Sequence, residues 1–481
     1  MPRPVRPKIA YVSAQLPSYL AAEHRVVERS EQALDRLALA LDFERVGEWP
    51  CVTSRAGAEV VAREAEELGV DMVLLQCSSF AMGDVVAPFG DGRYRLGLWA
   101  IEEPRREGPI ALNGFVAMHL HAGVLTSAAV GAPRPYKWFF GLDDHPWLRD
   151  RLAVTVAALR GIRALREARI ASIGGVAPSF WSLAVDERAL RARLGVQIDV
   201  HDLGDVIVRA RSVAADEVDR VVDDLRRAVR SVGAPDDDMR LGAATYVALR
   251  EVALEGGYDA LAVSDWPLFQ ETLGIHPGMA FSWLDEHDGI PVASEGDVMG
   301  GLSMRFAGAL ATGPAMLLDM NDVDLAADAI IMWHCGGSPL GFADARGATW
   351  DVHSTLGRKQ PGAVPRGAVA DLRFRHGPVS LLRLRSDGAE LFALDAEVVA
   401  HPTAGFDGSR GWVSAFRDAD GPRSAADVVS TVLSLGVEHH IVLSDGAVAP
   451  AAREAAAWLG MRLTPTVPYR DELVASAGGA R

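Results

Sequence analysis

The sequence is poor in cysteine. Cys51, Cys77 and Cys335 are the only three in 481 residues, and none stands in C-x-x-C spacing. An odd, scattered set excludes a disulfide framework and a thiolate zinc site, and it fits a reduced compartment. Long hydrophobic runs are also missing. No stretch of about 18 apolar residues escapes charge, so no membrane span is expected. The N-terminal run KIAYVSA is too short for a signal-peptide core, and a cytoplasmic location is expected. Basic residues are outnumbered, 48 Lys and Arg against 64 Asp and Glu, for a net charge of −16. That balance argues against a nucleic-acid binder, which needs a basic face. Phosphate-cradling glycine motifs are lacking too. No G-x-x-x-x-G-K-[ST] occurs, the first strand-like run ends Ser13-Ala14-Gln15, and the pair Gly174-Gly175 runs into Val176-Ala177-Pro178. A nucleotide-dependent dehydrogenase is therefore disfavoured.

What is present is 49% hydrophobic residues in a chain long enough for two to four domains, with ample apolar material for large cores. Strand-like and helical runs alternate from the start: Lys8–Ala14, Glu23–Leu41, Phe43–Glu48, Ala56–Leu68 and Met72–Cys77, with Leu96–Ala100 and Ile110–Leu112 as further strands. This rhythm predicts βαβ units and a parallel sheet. After a long helical stretch the alternation restarts at Arg169–Gly174 and continues to Ala260–Ser264. Beyond about Gly341, short runs such as Ala368–Phe374 and Val379–Leu384 are separated by turn residues, which predicts a β-barrel or sandwich. The expected architecture is α/β: two doubly wound parallel-sheet domains, 1–165 and 166–340, then a β-rich C-terminal domain, 341–481. The Ala/Gly-rich tail 475–481 is expected to fray.

The informative region is Pro291–Pro339. A strand-like entry delivers Glu295-Gly296-Asp297, and Asp297 can cap the predicted helix Val298–Leu310. The run Ala315–Leu318 ends in Asp319, and Ala329–Trp333 ends in His334. In α/β sheets ligands bind outside the carboxyl ends of strands. Carboxylates desolvated there need a partner, and oxygen ligands with an imidazole suit Mn2+ or Mg2+. For Glu295 or Asp319 alone, a turn or helix-terminus role competes with ligation. Asp322 and Asp324 are expected as solvated turn residues.

The runs ASEGD, LLDMN, MWHCGGSP and, far downstream, GVEHHIVLSDG resemble the L-fucose/L-arabinose isomerase family. The resemblance covers nearly the whole chain and is weakest in the C-terminal part. It implies a metal centre of Glu295, Asp319 and His440, with His334 either a fourth ligand or a donor to a sugar hydroxyl. Aspartate at position 319 leans toward the fucose branch. The segments Leu98–Leu120 and Trp266–Gly274 are also family-like, but Asp265 stands where many relatives have cysteine. The resemblance further implies Mn2+, or another divalent cation such as Mg2+ or Co2+, a monosaccharide substrate, and a homo-oligomer, trimeric or hexameric.

Moving a proton between adjacent sugar carbons needs polarised oxygens and two proton-transfer groups. Glu295 and Asp319 are therefore expected as both ligands and the catalytic acid/base pair. Gln15 and Asn113 are candidate hydroxyl-binding residues. Trp99 is a candidate for stacking on a sugar face, against a core-packing role. His119 and His121 would share a face on a strand but not on a helix. The substrate is expected to be a 6-deoxyhexose, a pentose or a modified hexose. Arg105, Arg106 and Arg358 could meet an anionic substituent, although each is better explained as a solvated surface residue. A sugar-binding regulator and a metal-dependent lyase or epimerase on the same scaffold are the alternatives.

Overall fold

A computed structural model describes residues 6–127, 134–358, 360–385 and 387–473; the expected frayed tail lies outside them. The chain divides into two compact units, one up to Arg160 and one from Gly161 onward, and the division falls inside the helix Pro146–Arg166.

The N-terminal unit is built on five parallel strands, β1 (Lys8–Ala14), β2 (Glu44–Val46), β3 (Met72–Cys77), β4 (Arg95–Ala100) and β5 (Tyr136–Phe140), in the order β2-β1-β3-β4-β5. Alternate residues serve opposite faces, as the strand period of two requires. Ala10, Val12, Val73 and Leu75 pack under the helix Arg55–Glu67, while Ile9, Tyr11, Met72 and Leu74 pack against the helix Val26–Leu41. Both faces are buried, so the strands read as continuous apolar runs. The expected strand Ile110–Leu112 is a loop. Its amides, with that of Asn113, donate to the Glu103 carboxylate at 3.2, 3.0 and 2.5 Å, an alternative to a sheet ladder.

The second unit holds a parallel sheet and a barrel. Strands β6 (Arg169–Ile173), β7 (Gln197–His201), β9 (Ala260–Val263) and β10 (Val292–Ala293) form the parallel sheet, ordered β10-β9-β6-β7; the short β8 (Ser231–Val232) pairs elsewhere. Strands β11 (Ala315–Asp324), β12 (Ala329–His334), β15 (Gly377–Leu384), β16 (Glu390–Val399), β17 (Ser409–Arg417) and β18 (His440–Asp445) pair antiparallel around a closed ring, β11-β12-β17-β16-β15-β18. The strands β13 (Thr349–Val352), β14 (Ala368–Arg373) and β19 (Arg462–Leu463) extend it. The α/β class with a terminal β-barrel is as the sequence predicts.

The boundary expected near residue 340 does not separate two bodies. Strands β11 and β12 lie before it, yet they pair with β18 and β17 from the C-terminal segment. One core continues from Ile173, Leu261 and Val292 of the parallel sheet to Met316, Leu318, Ile441 and Leu443 of the barrel. Among the described residues, no helix is long and apolar enough to cross a membrane.

Candidate metal centre

Glu295 arrives by the parallel sheet. It lies two residues beyond β10, in a single turn whose backbone at Glu295 is left-handed, φ 58° and ψ 17°. That conformation costs a non-glycine residue about 1–2 kcal/mol. Three contacts hold it. The Glu295 N–H donates to Asp265 Oδ1 at 2.7 Å, and its carbonyl accepts from the Ala177 N–H at 2.9 Å. Gly296 follows with φ 69°, so close to Gly175 that a Cβ would sit 1.9 Å from the Gly175 carbonyl oxygen. It is the missing side chain of Gly296 that makes room there, since a Cβ on Gly175 would meet nothing within 4 Å.

Asp319 and His440 arrive by the barrel. They are direct cross-strand partners on β11 and β18, and Asp319 also faces Trp333 on β12. Opposite positions bring side chains within about 5.5 Å at Cβ. Asp319 therefore sits inside a strand rather than at its end, and the strand-end rule accounts for Glu295 alone.

The side chains converge. Glu295 Oε2 lies 3.1 Å from His439 Nε2 and 3.5 Å from His440 Nε2. Among the described residues, Glu295, His439 and His440 form a group whose donor atoms all lie within 4.8 Å of one another. His440 is fully buried, and its Nδ1 lies 2.9 Å from Asp297 Oδ2. Asp297 is gripped through both oxygens by Arg383, at 2.5 and 3.0 Å, and its Oδ1 accepts the Gly300 N–H, so it also caps the helix Val298–Ala311 as expected. With Nδ1 committed to a carboxylate, His440 is left with Nε2 turned toward Glu295.

Charge follows this geometry. Burial acts to raise the Asp297 pKa, but Arg383 and then His440 outweigh it and hold the carboxyl well below its ordinary range. Burial alone would lower His440; the Asp297, Asp319 and Glu295 carboxylates raise it instead. Asp319 is raised by burial, which exceeds the opposing pull of His440 and His439. Asp265 is pushed up to about 6 by burial, against the amides that bond to it.

A divalent cation fits these residues. Asp319 Oδ1 and His440 Nε2 are closed off from solvent and have no hydrogen-bond partner. Two buried polar atoms left without partners beside a carboxylate and a second imidazole are costly, and a bound cation would satisfy them. His334 stands differently. Its Nε2 lies 3.2 Å from Ser294 Oγ and its Nδ1 3.2 Å from Cys335 Sγ, so both ring nitrogens are engaged by the protein. Its ring borders His440, with centroids 5.6 Å apart, without a free donor atom for a metal. His439, which sequence reasoning passed over, is the second imidazole whose donor atom stands with those of Glu295 and His440; it precedes β18, so the strand alternation that would turn it away does not apply.

The other candidates lie in the N-terminal unit. Gln15 follows β1, beside the point where strand order reverses between β1 and β3. Asn113 opens the helix Gly114–Thr126 with φ 55° and donates from Nδ2 to Tyr19 Oη at 3.3 Å. Trp99 is a correction. It has no exposed surface, its indole N–H donates to the Gly141 carbonyl at 2.8 Å, and its edge meets Tyr11, so it packs the core and offers no face to a ligand. His119 and His121 lie on a helix, and His121 is buried against Cys77.

No protein-family model matches the chain. A sulfoquinovose isomerase of Priestia aryabhattai is 25% identical over 382 residues, covering 78% of this chain and 81% of the relative. A sulfoquinovose isomerase of Alkalicoccus urumqiensis is 28% identical over 314 residues, covering 64% and 70%. An L-arabinose isomerase of Clavibacter sepedonicus is 25% identical over 174 residues, covering 34% of each chain. These likenesses support a sugar isomerase family and an enzyme of the aldose–ketose isomerase class, and they carry nothing that favours the fucose branch expected from Asp319.

Proposed function

We propose that this chain is a metal-dependent aldose–ketose isomerase acting on a monosaccharide, with sulfoquinovose the first substrate to test. The observation that carries the proposal is the convergence of Glu295 from the parallel sheet with His439 and His440, beside Asp319, which pairs across the strands with His440 and carries a buried, unpartnered carboxyl oxygen. The two sulfoquinovose isomerases described above each match about two thirds or more of this chain, which motivates the choice of sugar.

Glu295, Asp319, His439 and His440 would hold the cation, with Mn2+ proposed and Mg2+ or Co2+ as substitutes. When bound, such a cation supplies Lewis-acid polarisation of the two adjacent oxygens of the sugar. The protein supplies the proton transfers. One carboxylate, Glu295 or Asp319, takes the proton from the carbon beside the carbonyl, the hydroxyl proton on that carbon's oxygen passes to the former carbonyl oxygen, and the same carboxyl or its neighbour returns a proton to the former carbonyl carbon. Asp297 keeps the His440 ring in one orientation and one tautomer. Burial of His440, Asp297 and Arg383 excludes water from that side of the site. A homo-oligomer, trimeric or hexameric, in the cytoplasm is part of the same proposal.

The test is the purified protein with Mn2+, offered sulfoquinovose, L-fucose and L-arabinose, with products followed by NMR in deuterated water. A ketose carrying solvent deuterium at the carbon that gained the proton is the expected product. Binding of a sugar without turnover would mean a regulator, and chain cleavage or an inverted aldose would mean a lyase or an epimerase. Each of those outcomes overturns the isomerase proposal.

A further inference from the structure

The carboxyl ends of β6, β9 and β10 stand side by side in the parallel sheet, since Ile173 pairs with Val263 and Ala293 with Ala262. Beyond them lie Gly174-Gly175, Ser264-Asp265 and Ser294-Glu295. Asp265 is 1% exposed. A carboxylate so deeply placed stays ionised only if hydrogen bonds satisfy it. The Glu295 N–H supplies such a bond at 2.7 Å, while the Asp265 amide itself donates to the Val263 carbonyl at 2.9 Å. The first is the one with consequences. Glu295 holds a left-handed conformation that its own side chain disfavours, and in that conformation its Oε2 reaches His439 and His440. The Ala177 N–H fixes the carbonyl side of the same residue, and Asp265 fixes its amide side.

We propose that Asp265 is a positioning residue: its carboxylate holds the Glu295 amide, and with it the left-handed turn that aims the Glu295 side chain at His439 and His440. Asp265 touches neither histidine and acts through Glu295. The effect on turnover rests on the isomerase reading above; the effect on the turn does not.

The comparison is wild type, Asp265→Ala, which removes the acceptor, and Asp265→Asn, which keeps an oxygen in place. Hydrogen–deuterium exchange of the metal-free protein is read on the peptide spanning residues 292–298. In Asp265→Ala the exchange there rises at least about tenfold, because a bonded amide opens. Mn2+ affinity by calorimetry falls about tenfold or more, as for other groups that orient a ligand. At saturating Mn2+, kcat falls about tenfold with KM within about threefold, since an acid/base group is misplaced and substrate contacts are kept. Asp265→Asn returns all three to within about threefold of wild type, because its side-chain oxygen still accepts the amide. Should Asp265→Ala not fold, Asp265→Ser, whose hydroxyl is too short to span the gap, carries the same comparison.

Wild-type exchange in a folded Asp265→Ala or Asp265→Ser protein overturns the proposal. So does an Asp265→Asn protein as impaired as Asp265→Ala, which would trace the effect to lost charge. If wild type itself binds no Mn2+, the metal-centre reading fails, and the exchange comparison still decides the role of Asp265.

Discussion

Asp297 Oδ2 lies 2.9 Å from His440 Nδ1, and the same carboxylate closes a two-point ion pair with Arg383, all three side chains being fully buried. The helix cap, the ion pair and the imidazole contact meet on one carboxylate. Removing Arg383 leaves that charge uncompensated, which costs about 3–5 kcal/mol in a buried pair. Arg383→Met is expected to lose that much in urea denaturation of the metal-free protein. A loss below about 1 kcal/mol would show that the pair is not as desolvated as the structure has it. Asp297→Asn keeps the shape but weakens the hold on the imidazole, and Mn2+ affinity is expected to drop about 10–100-fold.

The two imidazoles near Glu295 can be separated by experiment. His439 Nε2 lies 3.1 Å from Glu295 Oε2, whereas His334 has Ser294 and Cys335 on its two nitrogens. His439→Ala is expected to weaken Mn2+ binding by about tenfold or more, and His334→Ala to leave it within about threefold, as ligands and their neighbours differ. Calorimetric titration with Mn2+ reads both. The reverse order would return His334 to the ligand set and remove His439 from it.

The sequence made the elements legible and much of the site, but not how the site is assembled. Glu295, Asp319 and His440 stand out in the sequence because EGD, LLDMN and EHH carry residues with little reason to be buried unless paired; the structure brings Glu295 to His440 and sets Asp319 opposite His440 on the neighbouring strand. Pairing across strands is not local information. Asp319 was expected at the end of a parallel strand, and it lies within an antiparallel one opposite His440. For that reason a boundary was expected near residue 340 where the barrel instead reaches back to residue 315. Arg383 left a trace, a lone cation in the run SLLRL, and its partner Asp297 was accounted for locally as a helix cap. Asp265 could not be read at all, since its role depends on a backbone conformation thirty residues away. Tyr136–Phe140 was missed as a strand because Lys137 and Trp138 break the apolar run on this edge strand.

Stability should fall toward alkaline pH, and one residue gives the sign. Burial, aided by Glu286, pushes Asp285 from the ordinary carboxylate range up to about 8, and its Oδ2 has no hydrogen-bond partner. The folded state therefore favours the protonated form. Its contribution is fully present below the unfolded pKa of about 4 and is lost as pH rises through about 8. Between about pH 6 and pH 9, Asp285→Asn should show a shallower loss of unfolding free energy than wild type in urea titrations. Parallel slopes for the two proteins would place the titration elsewhere.

The catalytic pair makes the sharpest division between chemistry and fold. Asp319 carries a buried carboxyl oxygen with no partner, and burial disfavours its charge. In the metal-free protein at neutral pH, Asp319→Asn should therefore be at least as stable as wild type, because it removes a desolvated charge and keeps the volume. The same change should lower kcat by at least about a hundredfold, the scale on which a positioned acid/base group contributes. Glu295→Gln should lose activity to a similar degree and keep the left-handed turn, since the amide bond to Asp265 involves its backbone alone. Rates at saturating Mn2+ and unfolding midpoints without it, measured on the same preparations, separate the two effects. A folded Asp319→Asn or Glu295→Gln enzyme with near wild-type kcat would take that residue out of the proton-transfer pair, and an Asp319→Asn protein that unfolds more readily than wild type would mean that the carboxylate already has a stabilising partner without metal.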